Sequence, residues 1–273
     1  GGSPLSHSAI LARSLHLPLV VGVTHALLKV NDGDVLAIDG ATGLVVLEPN
    51  ATDLRAHHKR MAEAQRERRA LNRLRREPSR TLDGIDIKLW ANAESRDDVT
   101  ESHALGAAGV GLYRTEFLFM GSSELPDEET QFRAYRDAVI GMTGRTVTIR
   151  TLDLGADKAD KTGLALRDEP NPALGLRGVR LSLAREGLLR TQLRAMARAS
   201  GYGPLRALVP MVSGYEEMRT VRSALDAVLF ELRSEGFEVA EHVPLGAMIE
   251  VPSAAISLPD FIGLCDFLSI GTN

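Results

Sequence analysis

Short apolar runs alternate with longer amphipathic segments over the last two thirds of the chain. The apolar runs occupy residues 85–91, 110–113, 147–149, 205–209, 245–249 and 267–270. The segments at 97–105, 128–140, 183–199 and 215–232 have the spacing of apolar residues that is typical of helices. This alternation predicts parallel strands that are joined by crossover helices, and therefore an α/β fold.

Polar side chains stand where the predicted strands end. In strand order they are Asn92 and Glu94, Arg114 and Glu116, Arg150 and Asp153, then Glu250 and Asn273. In a (β/α) barrel the carboxyl ends of all strands surround one mouth, so we expect these side chains to converge. A complete barrel has eight such units, whereas residues 84–273 supply about six, which predicts an incomplete (β/α)8 TIM-type barrel.

Two different patterns precede this region. Residues 1–48 contain a helix-like stretch at 8–15 and short apolar runs at 19–23, 35–38 and 44–47, separated by Gly- and Asp-rich turns. This is a small α/β unit, too short for a complete domain. Residues 49–83 lack glycine and are rich in Ala, Arg, Glu and Leu, which predicts a helical linker that ends near Pro78.

Charge and cysteine content narrow the class of protein. The net charge is −4, but residues 55–76 carry nine Lys or Arg against two Glu. These basic residues surround any helix and have no aromatic neighbours, so a solvated connecting helix is favoured over a nucleic-acid interface. The one cysteine, Cys265, lies in the apolar run 261–270 and is predicted to be a core residue of a strand. A reducing cytoplasm fits this composition best.

The two ends of the chain carry no targeting or membrane signal. No apolar stretch approaches the ~18 residues of a membrane span, and no basic and apolar leader is present. The chain begins with Gly1-Gly2 and no Met, which suggests a piece of something longer.

His7 is a candidate phosphoryl carrier. It stands at the start of the predicted helix behind small residues, where exposed amides and the helix dipole favour a negative charge. A neutral imidazole is a competent nucleophile, and those amides would stabilise a phosphoryl group on its nitrogen. Taken alone, a histidine at such a position is more often a cap or a surface residue.

The arginines and Glu250 point to an anionic ligand and a cation. Guanidinium forks bind phosphate and carboxylate bidentately, which makes Arg114 and Arg150 candidates for a small anionic substrate. The alternative is that each pairs with Glu116 or Asp153. Arg177 and Arg180 lie in a long Pro/Gly-rich loop, and Arg177 is a further candidate for substrate contact. Glu250 follows a strand and would suit Mg²⁺, although no second ligand is evident.

Four segments together resemble enzyme I of the phosphoenolpyruvate:sugar phosphotransferase system. They are SHSAILARSL at 6–15, GVGLYRTEFLFM at 109–120, IRTLD at 149–153 and SIGTN at 269–273. The resemblance implies a partial phosphohistidine (swivelling) domain at 1–48, a linker at 49–83 and a phosphoenolpyruvate-binding barrel at 84–273. It also implies a cytoplasmic phosphotransferase of sugar transport that dimerises in its full length.

The resemblance implies a role for each candidate residue. His7 would accept the phosphoryl group from phosphoenolpyruvate and pass it to a histidine-containing carrier protein. Arg114, Arg150 and Asn273 would bind phosphoenolpyruvate, and Glu250 would bind Mg²⁺. The carrier-docking domain, the Asp after Asn273, a later Arg and the proton-donating cysteine of the family are not found in the sequence, so Cys265 does not inherit that last role. Low turnover is expected of the chain as it stands.

Two other readings remain open. Pyruvate phosphate dikinase and phosphoenolpyruvate synthase share the phosphohistidine and the barrel, but transfer to a nucleotide or phosphate. A non-catalytic phosphorylated regulator would sense phosphoenolpyruvate without turnover. The turn before Ser6 holds one residue more than the usual form of enzyme I, as in multidomain fusion members of the family.

Overall fold

The computed structural model divides the chain into two compact units, Gly1–Glu77 and Pro78–Asn273. It describes residues 9, 12, 17–23, 30–75, 77–120, 124–155, 171 and 175–271. His7 and Asn273 lie outside these residues, as does most of the helix predicted at 8–15, of which Ala9 and Ala12 are helical.

The described part of the first unit contains a hairpin and a long helix. Strands β1 (Leu36–Asp39) and β2 (Leu44–Leu47) pair in antiparallel register, and the Asp39 carboxylate accepts hydrogen bonds from the turn amides of Ala41 and Thr42. These hydrogen bonds lower the pKa of the Asp39 carboxyl, the bond from Thr42 contributing most. The predicted run at 19–23 does not form a strand.

Helix α1 (Ala51–Leu74) follows the hairpin. Asn50 caps it, since its side chain accepts from the amides of Thr52 and Asp53, while the Asp53 carboxylate accepts from the Asn50 amide. The helix has no buried residue, as its polar and basic surface requires. One side-chain ion pair, Arg60 Nε to Asp39 Oδ2 at 3.1 Å, connects it to β1.

The second unit is built on a curled parallel sheet. Its strands, in the described residues, are β3 (Ala91–Ala93), β4 (Val110–Tyr113), β5 (Val147–Arg150), β6 (Leu205–Val209), β7 (Leu245–Ile249) and β8 (Phe267–Ile270). They lie side by side in sequence order, and all the pairings are parallel. The predicted β4, β6, β7 and β8 are confirmed residue for residue.

Helices alternate with the strands of this sheet in the described residues. They are α2 (Arg96–Leu105), α3 (Glu116–Phe119), α4 (Glu128–Gly141), α5 (Gly178–Ala184), α6 (Glu186–Ala199), α7 (Tyr215–Ser234), α8 (Pro252–Ile256) and α9 (Leu258–Phe261). The apolar faces of α4, α6 and α7 form one buried core with β4 to β7. None of the helices in the described residues is long and apolar enough to cross a membrane.

Three sequence predictions in this unit were wrong. The first strand is not 85–91 but Ala91–Ala93, because only these residues pair with β4, whereas Ile85, Ile87 and Leu89 are exposed. The helix predicted at 183–199 is two helices, since the backbone of Arg185 leaves helical geometry. Cys265 precedes β8 instead of lying in it, and it is only half-buried.

Gly109, next to β4, is required by close packing. A Cβ on Gly109 would lie 2.5 Å from the Thr146 carbonyl oxygen and would also overlap the Trp90 ring. Gly187, in α6, has open space around the same position and a negative φ. The two glycines therefore differ in the room that they leave for a methyl group.

We expect Gly109→Ala to destabilise the protein by about 1–3 kcal/mol, because the backbone and the Trp90 ring must both move. Gly187→Ala should instead stabilise it by up to about 1 kcal/mol, since alanine is the better helix former. Urea denaturation of both variants tests this. A Gly109→Ala protein as stable as the wild type would contradict the packing described around β4.

Candidate active site

Three of the four predicted site residues that the structure describes lie at the carboxyl ends of strands. Arg114 follows β4, Arg150 ends β5 and Glu250 follows β7. Because the strands are parallel and adjacent, these ends share one edge of the sheet. The fourth, Arg177, is the residue before α5.

Arg150 is at the centre of a nearly buried cluster of charges. Its Nη2 donates to Glu116 Oε1 at 2.8 Å, and its Nη1 lies 3.4 Å from Asp153 Oδ2. The Arg150 side chain is 12% exposed, and the two carboxylates are less exposed still. Glu116 Oε1 also accepts from the Asp153 amide at 3.1 Å, so that one carboxylate holds both a guanidinium and a backbone group.

Asp153 connects Arg150 to Arg177. Its Oδ1 accepts from Arg177 Nε at 3.2 Å and from Nη2 at 3.1 Å, while its Oδ2 faces Arg150. Two guanidinium groups from distant parts of the sequence therefore share one carboxylate. The loop prediction for this region was wrong in part, because Arg180 lies inside α5, where its side chain donates to the Gly175 carbonyl.

Arg114 belongs to a separate and more exposed ion pair. Its Nη1 donates to Glu94 Oε1 at 2.7 Å, and its side chain is 40% exposed. The sequence offered Glu116 or Asp153 as partners for both arginines. Arg150 takes both of these carboxylates, whereas Arg114 takes Glu94, which follows β3.

Glu250 is held by a backbone amide. Its Oε1 accepts from the Met211 amide at 2.7 Å, and Met211 has a φ of +58°, which is uncommon for a residue with a side chain. The Met211 side chain lies against Gly178, at whose position any Cβ would approach it to 2.8 Å. Within the described ranges, no three His, Cys, Asp or Glu side chains are grouped to hold a metal ion.

A buried network of neutral groups lies beneath the arginine cluster, and the sequence analysis missed it. Thr115 Oγ1 donates to the Arg150 carbonyl at 3.0 Å, and Gln192 contacts Thr115, Tyr135 and the Leu152 amide. Burial raises the pKa of the Tyr135 phenol far above its ordinary value, so this hydroxyl stays neutral. The signal in the sequence is a glutamine among apolar positions of α6, which alone does not name its partners.

Comparison with known proteins identifies related sequences over the whole chain. The model of the "PEP-utilising enzyme, PEP-binding domain" matches residues 68–273, and that of the "PEP-utilising enzyme, mobile domain" matches residues 1–43. Phosphoenolpyruvate-protein phosphotransferase of Cupriavidus necator is 46% identical over 274 residues, and those of Geobacillus stearothermophilus and Listeria monocytogenes are 42% identical over 272. Each alignment covers 100% of this chain and 47% of the relative, so the chain spans about half of their length.

We expect Asp153→Asn to destabilise the protein by about 3 kcal/mol, since it leaves Arg150 and Arg177 with one carboxylate fewer in a poorly solvated place. Glu216→Gln is the matched control, because it removes a carboxylate from the exposed Glu216–Arg219 pair and should leave the stability unchanged. Urea unfolding of both variants measures the difference. Equal midpoints would show that the Asp153 ion pairs contribute nothing to folding.

Proposed function

The chain belongs to the PEP-utilising enzymes, and from that premise we propose that it is the central part of a phosphoenolpyruvate-protein phosphotransferase. In the proposed reaction His7 attacks the phosphorus of phosphoenolpyruvate. A bond from phosphorus to an imidazole nitrogen forms, the bond from phosphorus to the enol oxygen breaks, and the enolate of pyruvate leaves. The phosphoryl group then passes from His7 to a histidine of a carrier protein.

The observation that carries this proposal is the Arg150–Asp153–Arg177 arrangement, in which Arg177 joins Arg150 at the carboxyl end of β5 through a shared carboxylate. Two guanidinium groups fixed by one carboxylate form a preorganised acceptor for an anion with several oxygens. We assign Arg150 and Arg177 to the phosphate and carboxylate of phosphoenolpyruvate. Arg114 joins them from β4, and Asn273 contacts the same substrate.

The arginine side chains supply positive charge to the reaction and hold the substrate in position. Phosphoryl transfer asks the protein mainly to place the reactants and to stabilise the charge of the transferred group. Arg150 is held from two sides before any substrate binds, so little reorganisation is needed at the moment of transfer. We do not assign Cys265 as the proton donor of the enolate, because it precedes β8 and so does not lie at the carboxyl end of a strand.

Glu250 could serve as one of the one or two carboxylate ligands that a Mg²⁺ ion takes from a protein. Mg²⁺ in phosphate sites takes one or two carboxylates together with waters and substrate oxygens. The Met211 amide fixes Glu250 Oε1, while no described residue donates to Oε2, and the residue is exposed at the mouth. A bound Mg²⁺ would neutralise phosphate charge there.

The proposed domain organisation extends this function to the whole chain. Residues 1–48 form part of a phosphohistidine domain, 49–83 form the linker, and 84–273 form an incomplete (β/α)8 barrel. The match of the mobile-domain model to residues 1–43 and the sequential parallel sheet support these boundaries. The full-length protein would act as a dimer in the cytoplasm, in the phosphotransferase system of sugar uptake.

We expect the full-length protein to become labelled by ³²P-phosphoenolpyruvate with Mg²⁺, and His7→Ala to abolish the label because no other group accepts it. His58→Ala is the matched control, since His58 is an exposed histidine of α1 and should leave labelling unchanged. Label that persists in His7→Ala would overturn the carrier assignment.

The acceptor of the phosphoryl group distinguishes the enzyme classes. Loss of label on addition of a histidine-containing carrier protein supports the proposed function. Loss of label with AMP and pyrophosphate would instead indicate a pyruvate phosphate dikinase, and label stable to both would indicate a regulator. The three relatives are each named phosphoenolpyruvate-protein phosphotransferase, which favours a protein as the acceptor.

We expect Glu250→Gln to raise the Mg²⁺ concentration for half-maximal labelling at least ~10-fold, because a neutral amide is a weaker ligand for a hard cation. Glu238→Gln, at an exposed position before β7, should leave the Mg²⁺ requirement unchanged. A titration of the labelling rate with Mg²⁺ measures both variants. An unaltered titration for Glu250→Gln would remove Glu250 from the metal site.

A further inference from the structure

Gln192 is a buried polar side chain on α6 that reaches two segments of the candidate active site. It is 1% exposed, and its amide makes three hydrogen bonds. Oε1 accepts from the Leu152 amide at 2.9 Å, while Nε2 donates to Thr115 Oγ1 at 3.3 Å and to the Tyr135 hydroxyl at 3.0 Å. We propose that Gln192 is a positioning residue for the anion-binding arginines, in addition to the residues assigned above.

The first path from Gln192 runs along the segment after β5. Leu152 stands between Arg150 and Asp153, and the Gln192 carbonyl oxygen fixes its amide. The next amide, that of Asp153, donates to Glu116. Two successive amides of the backbone that places the Asp153 carboxylate are therefore hydrogen-bonded, one to Gln192 and the other to Glu116.

The second path runs through the segment after β4. Gln192 Nε2 meets Thr115 Oγ1, and the same hydroxyl donates to the Arg150 carbonyl oxygen. Thr115 is fully buried and directly precedes Glu116, the other carboxylate on Arg150. One glutamine thus joins the ends of β4 and β5 at the residues that orient the Arg150 guanidinium.

A purely structural role for Gln192 would not require its hydrogen bonds to reach Leu152 and Thr115, which adjoin the arginine cluster. A buried amide costs free energy unless all its polar atoms are paired, and an apolar residue of the same volume avoids that cost. Gln131 provides the comparison within the same network. It is also buried, and it bonds the Tyr135 hydroxyl and the Pro126 carbonyl, but neither contact reaches a residue of the arginine cluster.

The role of Gln192 in substrate binding rests on the proposed function, whereas its effect on the backbone does not. The test compares Gln192→Met with Gln131→Met in the full-length protein, since each replaces a buried amide by an apolar chain of similar size. Amide hydrogen exchange at Leu152 and Asp153 reports the backbone. Calorimetric titration with phosphoenolpyruvate and Mg²⁺, well below the melting temperature, reports binding.

We expect Gln192→Met to speed exchange at Leu152 and to raise the dissociation constant of phosphoenolpyruvate, each about tenfold, as loss of one or two buried hydrogen bonds implies. Gln131→Met should lower the melting temperature by a similar amount and leave both other quantities within about twofold of the wild type. Thr115→Val, which keeps the shape but removes the hydroxyl, should weaken binding in the same direction as Gln192→Met. It also provides a second variant if Gln192→Met does not fold.

Each outcome decides one of the two ideas. Equal effects of Gln192→Met and Gln131→Met on exchange and binding would reduce Gln192 to a structural residue and overturn the inference. A wild-type protein that does not bind phosphoenolpyruvate would remove the proposed function, and exchange at Leu152 would then decide the positioning role alone. Weaker binding in Gln192→Met but not in Gln131→Met supports both.

Discussion

The need to neutralise a guanidinium group away from water organises the second unit around Arg150. A charge with so little solvent contact is tolerable only when it is paired and hydrogen-bonded. Glu116 and Asp153 meet this need, and each of them has a further partner, the Asp153 amide for one and Arg177 for the other. The segments that follow β4 and β5, and the segment before α5, are thereby connected to the Arg150 guanidinium group.

Parallel strand order makes this arrangement possible, and α6 maintains it. The inner face of α6 contributes Leu189, Leu193 and Met196 to the core. Arg194 of the same helix pairs with Glu128 of α4 and with Glu235, the residue after α7, so the helix is anchored to both neighbours. The core packing and these ion pairs thus hold the helix that carries Gln192.

The sequence predicted the strands correctly where a continuous apolar run is buried. It failed where only pairing with a neighbouring strand determines whether a segment is a strand. Strands such as β7 are apolar throughout because both of their faces are covered. Residues 85–89 also alternate, but alternation does not reveal whether a neighbouring strand exists. The partner of Arg114 was not predictable either. Glu94, Glu116 and Asp153 all carry a carboxylate, and only the course of the backbone determines which of them reaches Arg114. Gln192 was missed for the same reason.

The unequal exposure of the arginines implies a division of labour within the proposed function. The Arg114–Glu94 pair is partly solvated and contributes little to stability, so an incoming anion can displace Glu94 at small cost. Arg150 cannot exchange its carboxylates so easily, because any reorientation leaves buried charges without partners. A ligand must therefore fit the guanidinium directions that Glu116 and Asp153 impose, while Arg114 adapts to the ligand. Selectivity for the shape of the anion then resides in the buried pairs, and the added attraction in the exposed one.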